Sequence, residues 1–458
     1  MTRRLGFTIG RRHAPIKGIL VALMASADGF SSGNSVSRER ELQCNSIIKQ
    51  STRLYSQHTT ITDSIRVAFE KDQTDGILAL SSLHSDADVH TLIEATLDAV
   101  DEKGGHVASI LNGFIGACML MEDEPAAASR ACELLEAFEE LEEEKKIRPD
   151  IVTYSLAYNA IGRDPNSVDL AGVALERAQK MSKKVAGSKR RKTLAASRRK
   201  KVSESCISVE TELKDLLGED FKVLHESDNA FVINKPSGIS CFHKKKTTAG
   251  KVKKGKKSSH KQSDISLEDA LSQCGVPLST LNPEGLGLVH RLDRGTSGCM
   301  VLAKTDKAHA KLLSEFFLRK CEKQYTTIVA PAPLSSIPDS GSIDVPVDGR
   351  PARSEYHIMK RYGTTAALVN FRTFTGRKHQ VRVHASSSDL ASPVLNDSQY
   401  SRKDRLPDDI FTSDDSKARF FLHASTLSIP RYEISCQAPL PGWWKPVLES
   451  IQNVSSDD

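Results

Sequence analysis

One stretch constrains this chain more than any other. Residues 288 to 304 combine charged side chains, two glycines and a short run of large apolar residues, Cys299 to Ala303, that starts directly after Gly298. A run this short, bounded by glycine, suits a buried strand rather than a helix. The stretch has a single carboxylate, Asp293, which falls in the turn leading into that strand. Arg291 and Arg294 flank it, and nearby positive charge favours the ionised form of a carboxylate. An ionised acid at a strand end can attack carbon, so Asp293 is the candidate nucleophile.

A chain of 458 residues exceeds one ordinary domain, so two or three are expected. The formal net charge of +6 is modest, but the basic residues are clustered, which points toward a polyanionic partner. Nine scattered cysteines, an odd number with no Cys-x-x-Cys pair, indicate neither a zinc module nor a disulfide framework, and a reducing compartment is expected. No run of eighteen apolar residues exists, so no membrane span is expected.

Residues 1–37 carry Arg3, Arg4, Arg11, Arg12 and Lys17, a short apolar run and a serine-rich tail, with Asp28 as the lone acid. They read as a targeting or disordered segment, consistent with an organellar (plastid or mitochondrial) address, with nucleus or cytoplasm as the alternative. Residues 38–181 show helical spacing, as at Leu92, Ile93, Ala95, Leu97 and Val100. Within them Arg148-Pro149-Asp150 followed by Ala171, Ala174, Leu175 and Ala178 resembles one pentatricopeptide repeat, with a weaker echo from Val107. That family reads single-stranded RNA, although a plain helical bundle fits the pattern equally well. Residues 182–206, with Lys189-Arg190-Arg191-Lys192, read as a basic linker.

The segment from 207 to 450 carries several further signals in order. A strand at Ala230 to Asn234 runs into Lys235-Pro236-Ser237-Gly238; a lysine-rich stretch, 243–263, is expected to be a disordered surface insertion; Lys323-Gln324-Tyr325 opens a strand; and Thr375-Gly376-Arg377 precedes His379-Gln380-Val381-Arg382-Val383-His384, which looks helical. His379 and His384 lie five apart and do not share a helix face as four-apart ligands would, so a metal site is rejected. Residues 451–458 form a tail.

His290-Arg291-Leu292-Asp293-Arg294 with Thr296-Ser297-Gly298, together with these segments in the same order, resembles the RluA-type pseudouridine synthases. The resemblance implies an α+β fold, a mixed and mostly antiparallel sheet flanked by helices and loops, here preceded by the helical repeat-like part. It implies isomerisation of uridine to pseudouridine in structured RNA, such as ribosomal, transfer or messenger RNA, with no cofactor and no metal. Asp293 is then the nucleophile, Tyr325 the candidate general base, and Arg382 the guanidinium that pairs with Asp293. Arg291 is expected to fill the space left by an everted nucleotide, and Lys235, Arg294, Arg377, His379 and Gln380 are expected to contact RNA. Two rivals are an RNA-binding protein with an inactive synthase domain and a hydrolase using Asp293 with His290. The chain departs from the family at Ala391-Ser392-Pro393-Val394-Leu395-Asn396-Asp397, where Gly-His-Pro-x-x-Gly-Asp is usual. Asparagine tolerates a positive φ where glycine is lost and alanine less so.

Overall fold

A computed structural model of the chain describes residues 61, 65, 88–99, 107–145, 147–197, 209–242, 265–330, 337–363, 366–401 and 419–454. The expected targeting segment at 1–37 and the lysine-rich insertion at 243–263 lie outside the described residues; the tail expected at 451–458 instead begins within the last helix, which runs to Val454 with Ile451 buried, and only 455–458 lie outside.

The helical part comprises α1 (Val89–Ala99), α2 (Val107–Cys118), α3 (Glu124–Lys145), α4 (Ile151–Ile161) and α5 (Val168–Ser197). Asp150 opens α4: its carboxylate accepts from the Thr153 backbone N–H while the Thr153 hydroxyl accepts from the Asp150 N–H, a reciprocal cap. Helix α5 runs on to Ser197, so the first part of the basic stretch is helical. Its lysines, arginines, alanines and leucine are good helix formers, and Gly187 alone does not break it.

The second part begins with α6 (Val209–Leu217) and continues through β1 (Lys222–Glu226), β2 (Ala230–Lys235), α7 (Leu267–Gln273), β3 (Ser297–Ala303), α8 (Asp306–Phe317), β4 (Glu322–Val329), β5 (Ser340–Ile343), β6 (Ser354–Tyr362), β7 (Ala366–Thr373), α9 (Gln380–Ser386), β8 (Leu422–Ile429), β9 (Ile434–Gln437) and α10 (Trp444–Val454). The strands form one sheet in the order β1-β2-β3-β8-β4-β7-β6-β5, with β9 added to β8. All neighbours are antiparallel except β3 with β8, which gives the mixed, mostly antiparallel α+β architecture expected from the sequence.

Alternation along the strands divides the core. On one face Phe231, Ile233, Met300 and Leu302 pack under α6 and α7, and Val369 and Phe371 pack under α9. On the other, Val232, Cys299 and Val301 meet α8, and Ile328 and Phe421 meet α10. Both β2 and β3 are buried throughout, which explains why β3 reads as an unbroken apolar run. At its start Gly298 has φ +116, and a Cβ there would stand 2.2 Å from the Ala424 carbonyl oxygen. Only glycine lets β3 approach β8 this closely, and the approach sets where the Asp293 turn leaves the sheet.

The helical part is packed onto this sheet domain through α8. Ala310, Leu318 and Leu281 belong to the same apolar cluster as Phe114, Leu156 and Ala174. Asn159 donates its amide to the Ala310 carbonyl at 3.0 Å and to the Ser314 hydroxyl at 2.6 Å; Gln179 donates to Asp306; and the Ser182 hydroxyl donates to the Thr280 carbonyl. Because α8 directly follows β3, the helices are anchored to the strand that carries the Asp293 turn.

Candidate active site

The site is assembled from three segments far apart in the chain: the turn before β3, strand β4 and helix α9 with the loop that follows it. The first is clamped from below. Lys235, at the end of β2, is fully buried, and its ammonium donates to the carbonyls of Pro236 at 2.8 Å, Ile239 at 2.9 Å and Arg294 at 3.4 Å. Burial pushes it down to about 8. The neighbouring loop adds reciprocal bonds, Gly238 N–H to the Arg294 carbonyl and Arg294 Nε to the Gly238 carbonyl, each 2.8 Å, while the Ser237 hydroxyl donates to the Gly295 carbonyl. Lys235 is therefore no RNA contact. A buried ammonium must fill its donor capacity internally, and it does so by tying the Lys-Pro-Ser-Gly turn to the Asp293 turn.

Asp293, about one-fifth exposed, receives a hydrogen bond at its Oδ2 from Arg382 Nη1 at 3.2 Å. Arg382 is itself held in place: Nε and Nη2 bind the two oxygens of Asp397 at 2.6 and 2.9 Å, and Nη2 reaches Gln399 at 3.3 Å. Its guanidinium lies over the rings of Phe420 at 4.4 Å and Tyr400 at 4.9 Å. Asp397 is only 1% exposed, so the pair is a bidentate ion pair out of water that sets the plane of the guanidinium before any substrate arrives.

The segments that carry Asp293 and Arg382 are similar to known proteins. A family model described as RNA pseudouridylate synthase matches residues 229–387, which span Asp293, Tyr325 and Arg382. Ribosomal large subunit pseudouridine synthase D of Xanthomonas campestris is 32% identical over 256 residues, covering 51% of this chain and 70% of that protein. The chain belongs to the RNA pseudouridine synthase family. An uncharacterized RNA pseudouridine synthase of Aquifex aeolicus is 32% identical over 197 residues, 40% of this chain and 56% of that protein. RNA pseudouridine synthase 2, chloroplastic, of Oryza sativa subsp. japonica is 37% identical over 134 residues, 25% of this chain and 29% of that protein. The match spans little more than half the length of the Aquifex relative and of a Chloroflexus aurantiacus relative, of which it covers 55%.

The remaining expected site residues are distributed unevenly. Tyr325 stands on β4 where the two clusters of the active-site face meet, half-buried. Burial, reinforced by the Asp293 charge, pushes its phenol up to about 12, so the hydroxyl is protonated at neutral pH. His379 does reach the centre: its Nε2 lies 3.6 Å from Asp293 Oδ1 and its Nδ1 2.9 Å from the Tyr400 hydroxyl. Arg291 is exposed, with its guanidinium 5.2 Å from the Phe242 ring centre. Arg294 is exposed and anchored to Gly238, and Arg377 donates its Nε to the Pro351 carbonyl at 3.0 Å.

Gln380 corrects a second expectation. It is 4% exposed, accepts from the Thr375 hydroxyl and the Arg377 backbone N–H, and donates to the Arg353 carbonyl and the Ser354 hydroxyl. With both amide ends satisfied it has nothing left for RNA, and instead rivets the loop after β7 to the start of β6 and to α9. His290, the partner in the hydrolase rival, accepts a hydrogen bond from Val301 N–H, stacks on Phe316 at 4.6 Å and is pushed by burial down to about 3. It serves the scaffold.

Asp397 and Tyr400 are the functional candidates that the motif reading passed over. Asp397 could have been found, since it ends the run in which the family has Gly-Asp; nothing in the sequence singles out Tyr400. The two departures in that run keep the backbone that glycine would allow: Ala391 has φ +48 and Asn396 φ +61. Asn396 is compensated by an amide bond to the Arg419 carbonyl at 2.7 Å, whereas Ala391 is strained. Ala391→Gly is accordingly expected to stabilise the protein by about 1 kcal/mol, the left-handed penalty less the chain entropy of glycine, raising the midpoint of thermal unfolding. An unchanged or lowered midpoint would show that the strain is absorbed elsewhere. Among the described residues no cluster of histidine, cysteine or carboxylate side chains could hold a metal ion.

Proposed function

We propose that this protein isomerises uridine to pseudouridine in folded RNA, with Asp293 as nucleophile. The observation that carries the reading is the contact between Asp293 and Arg382, a guanidinium already immobilised by Asp397. Arg382 holds one oxygen of the carboxylate and leaves it directed, while one-fifth of the side chain remains open to an incoming nucleotide. The target nucleotide must leave its stack, because neither C1′ nor C6 is reachable within it. Arg291, exposed and braced on Phe242, is suited to occupy the gap it leaves.

Asp293 attacks the ribose or the base, the C1′–N1 bond breaks, the freed ring turns, a C1′–C5 bond forms, and the bond to Asp293 breaks to return the free carboxylate. C5 then loses its proton and N1 gains one, so the product is an isomer. Tyr325 is the candidate for moving the C5 proton. Held protonated in the resting site, it can accept that proton only as its own departs, so it works as a relay rather than as a standing phenolate. Tyr325→Phe is expected to lower the turnover of bound RNA by roughly 10²- to 10⁴-fold with little change in affinity; a turnover within twofold of the parent would remove Tyr325 from the chemistry.

The names of the Xanthomonas and rice relatives, a ribosomal large subunit enzyme and a chloroplastic one, support an RNA of the large ribosomal subunit in an organelle as the substrate and place of action. The division proposed is a helical unit comprising α1 to α5, the last of which takes up the first part of the expected basic linker, and a synthase domain running from α6 to α10. Purified protein incubated with organellar and cytosolic RNA, scored for carbon-linked uracil against released base, tests the reaction. Released base would favour hydrolysis, and neither product would favour an RNA-binding protein with an idle synthase domain.

A further inference from the structure

We propose that Tyr400 is a positioning residue for Asp293, acting through His379 with its hydroxyl and through Arg382 with its ring. The inference rests on the synthase reading above and extends it to the second oxygen of the nucleophile. Arg382 engages Oδ2; Oδ1 faces His379 Nε2 at 3.6 Å. Whether that nitrogen attracts or repels the carboxylate depends on which ring nitrogen carries the proton.

The geometry selects one tautomer. If Nδ1 carried the proton and donated it to Tyr400, the lone pair of Nε2 would point at an anionic oxygen. If Tyr400 donates its hydroxyl proton to Nδ1, the Nε2–H points at Asp293 instead, and every contact is favourable. The 2.9 Å separation between Nδ1 and the Tyr400 oxygen fits that bond. The charges facing the ring are Asp293 from the turn, Lys378 and Arg382 from α9 and its approach, and Asp397 from the following loop; burial holds the imidazole neutral against Asp293. His379 is also the residue that opens α9 with φ +60, a left-handed conformation uncommon for a residue other than glycine. The same tyrosine ring stacks on the Arg382 guanidinium at 4.9 Å and meets His379 edge-on at 5.8 Å. One side chain thereby governs both groups that hold the nucleophile.

Two substitutions separate the hydroxyl from the ring. Tyr400→Phe keeps the stack on Arg382 and removes the donor to Nδ1. Its turnover of saturating RNA is expected to fall about tenfold, short of the hundredfold that a full misplacement would cost, while KM stays within twofold. Its acid limb should also move to higher pH: losing a donor to the neutral ring favours protonation, and a protonated His379 pairs with Asp293 and blocks attack. His379→Gln keeps an N–H near Asp293 and cannot titrate, so its acid limb should flatten.

Nitrogen-15 NMR of the parent protein without RNA gives a readout independent of activity. The His379 ring, assigned by its loss in His379→Gln, should show protonated Nε2 and bare Nδ1, and in Tyr400→Phe this preference should weaken. A protonated Nδ1 in the parent, or a Tyr400→Phe enzyme with parental turnover and pH profile, overturns the inference and leaves the synthase reading standing. A parent that forms no pseudouridine removes the synthase reading, and the NMR result then judges the tautomer by itself.

Discussion

Replacing Asp293 with asparagine is expected to reduce pseudouridine formation by roughly 10⁴-fold or more while leaving RNA binding and the fold intact. Asparagine keeps the shape and one hydrogen-bond acceptor, but its amide oxygen is no nucleophile, so the covalent step is lost outright rather than slowed. Stability should change little, because Asp293 is partly exposed and Arg382 retains both bonds to Asp397. The measurement is single-turnover conversion with enzyme in excess over RNA, alongside a filter-binding titration. Conversion at a tenth of the parental rate or above would mean that another group attacks.

Arg382→Ala carries the second large effect, and it falls on stability as well as on rate. The substitution leaves the Asp397 carboxylate, 1% exposed, without either guanidinium bond, and a buried charge stripped of its partner costs about 3–5 kcal/mol. It also vacates the space between Phe420 and Tyr400 and releases Oδ2 of Asp293. Denaturant unfolding should show the loss of stability, and turnover by the residual folded enzyme should fall with it. Arg382→Lys tests the division of labour: a single ammonium cannot grip Asp397 at two oxygens and reach Asp293 as well, so the charge is kept and the geometry lost. A lysine enzyme with parental turnover would reduce Arg382 to a charge alone. A Tm shift below about 2 °C in Arg382→Ala would mean that Asp397 finds another partner.

Most of the scaffold can be read along the chain because the signals are local. The apolar run Ala230 to Ile233 and the one after Gly298 announce buried strands, and Pro149-Asp150 announces the start of α4. The nucleophile and its arginine are legible too, since each sits in a distinctive string at an element boundary. The residues misread as RNA contacts, Lys235 and Gln380, share one property: both are polar residues inside motif strings, where a charged or amide side chain looks available. Each is satisfied within the fold, in part by a main-chain carbonyl brought in from elsewhere: that of Arg294, 59 residues from Lys235, and that of Arg353, 27 residues from Gln380. No periodicity records whether such a carbonyl will be waiting.

The same division separates the two halves of the molecule. Residue spacing alone announces that the first part is helical and that Asp293 lies in a turn at a strand end, because periodicity and glycine placement act within a few residues; the mostly antiparallel sheet is implied by the family resemblance. That Tyr400 and Asp397 close over Arg382, that Arg291 rests on Phe242, and that the helices lock onto α8 through Asn159 and Gln179 emerge only once the chain has folded. Each of those contacts depends on which distant surfaces meet, and the free energy of burying and pairing polar groups is fixed by that meeting rather than by any neighbour in the chain.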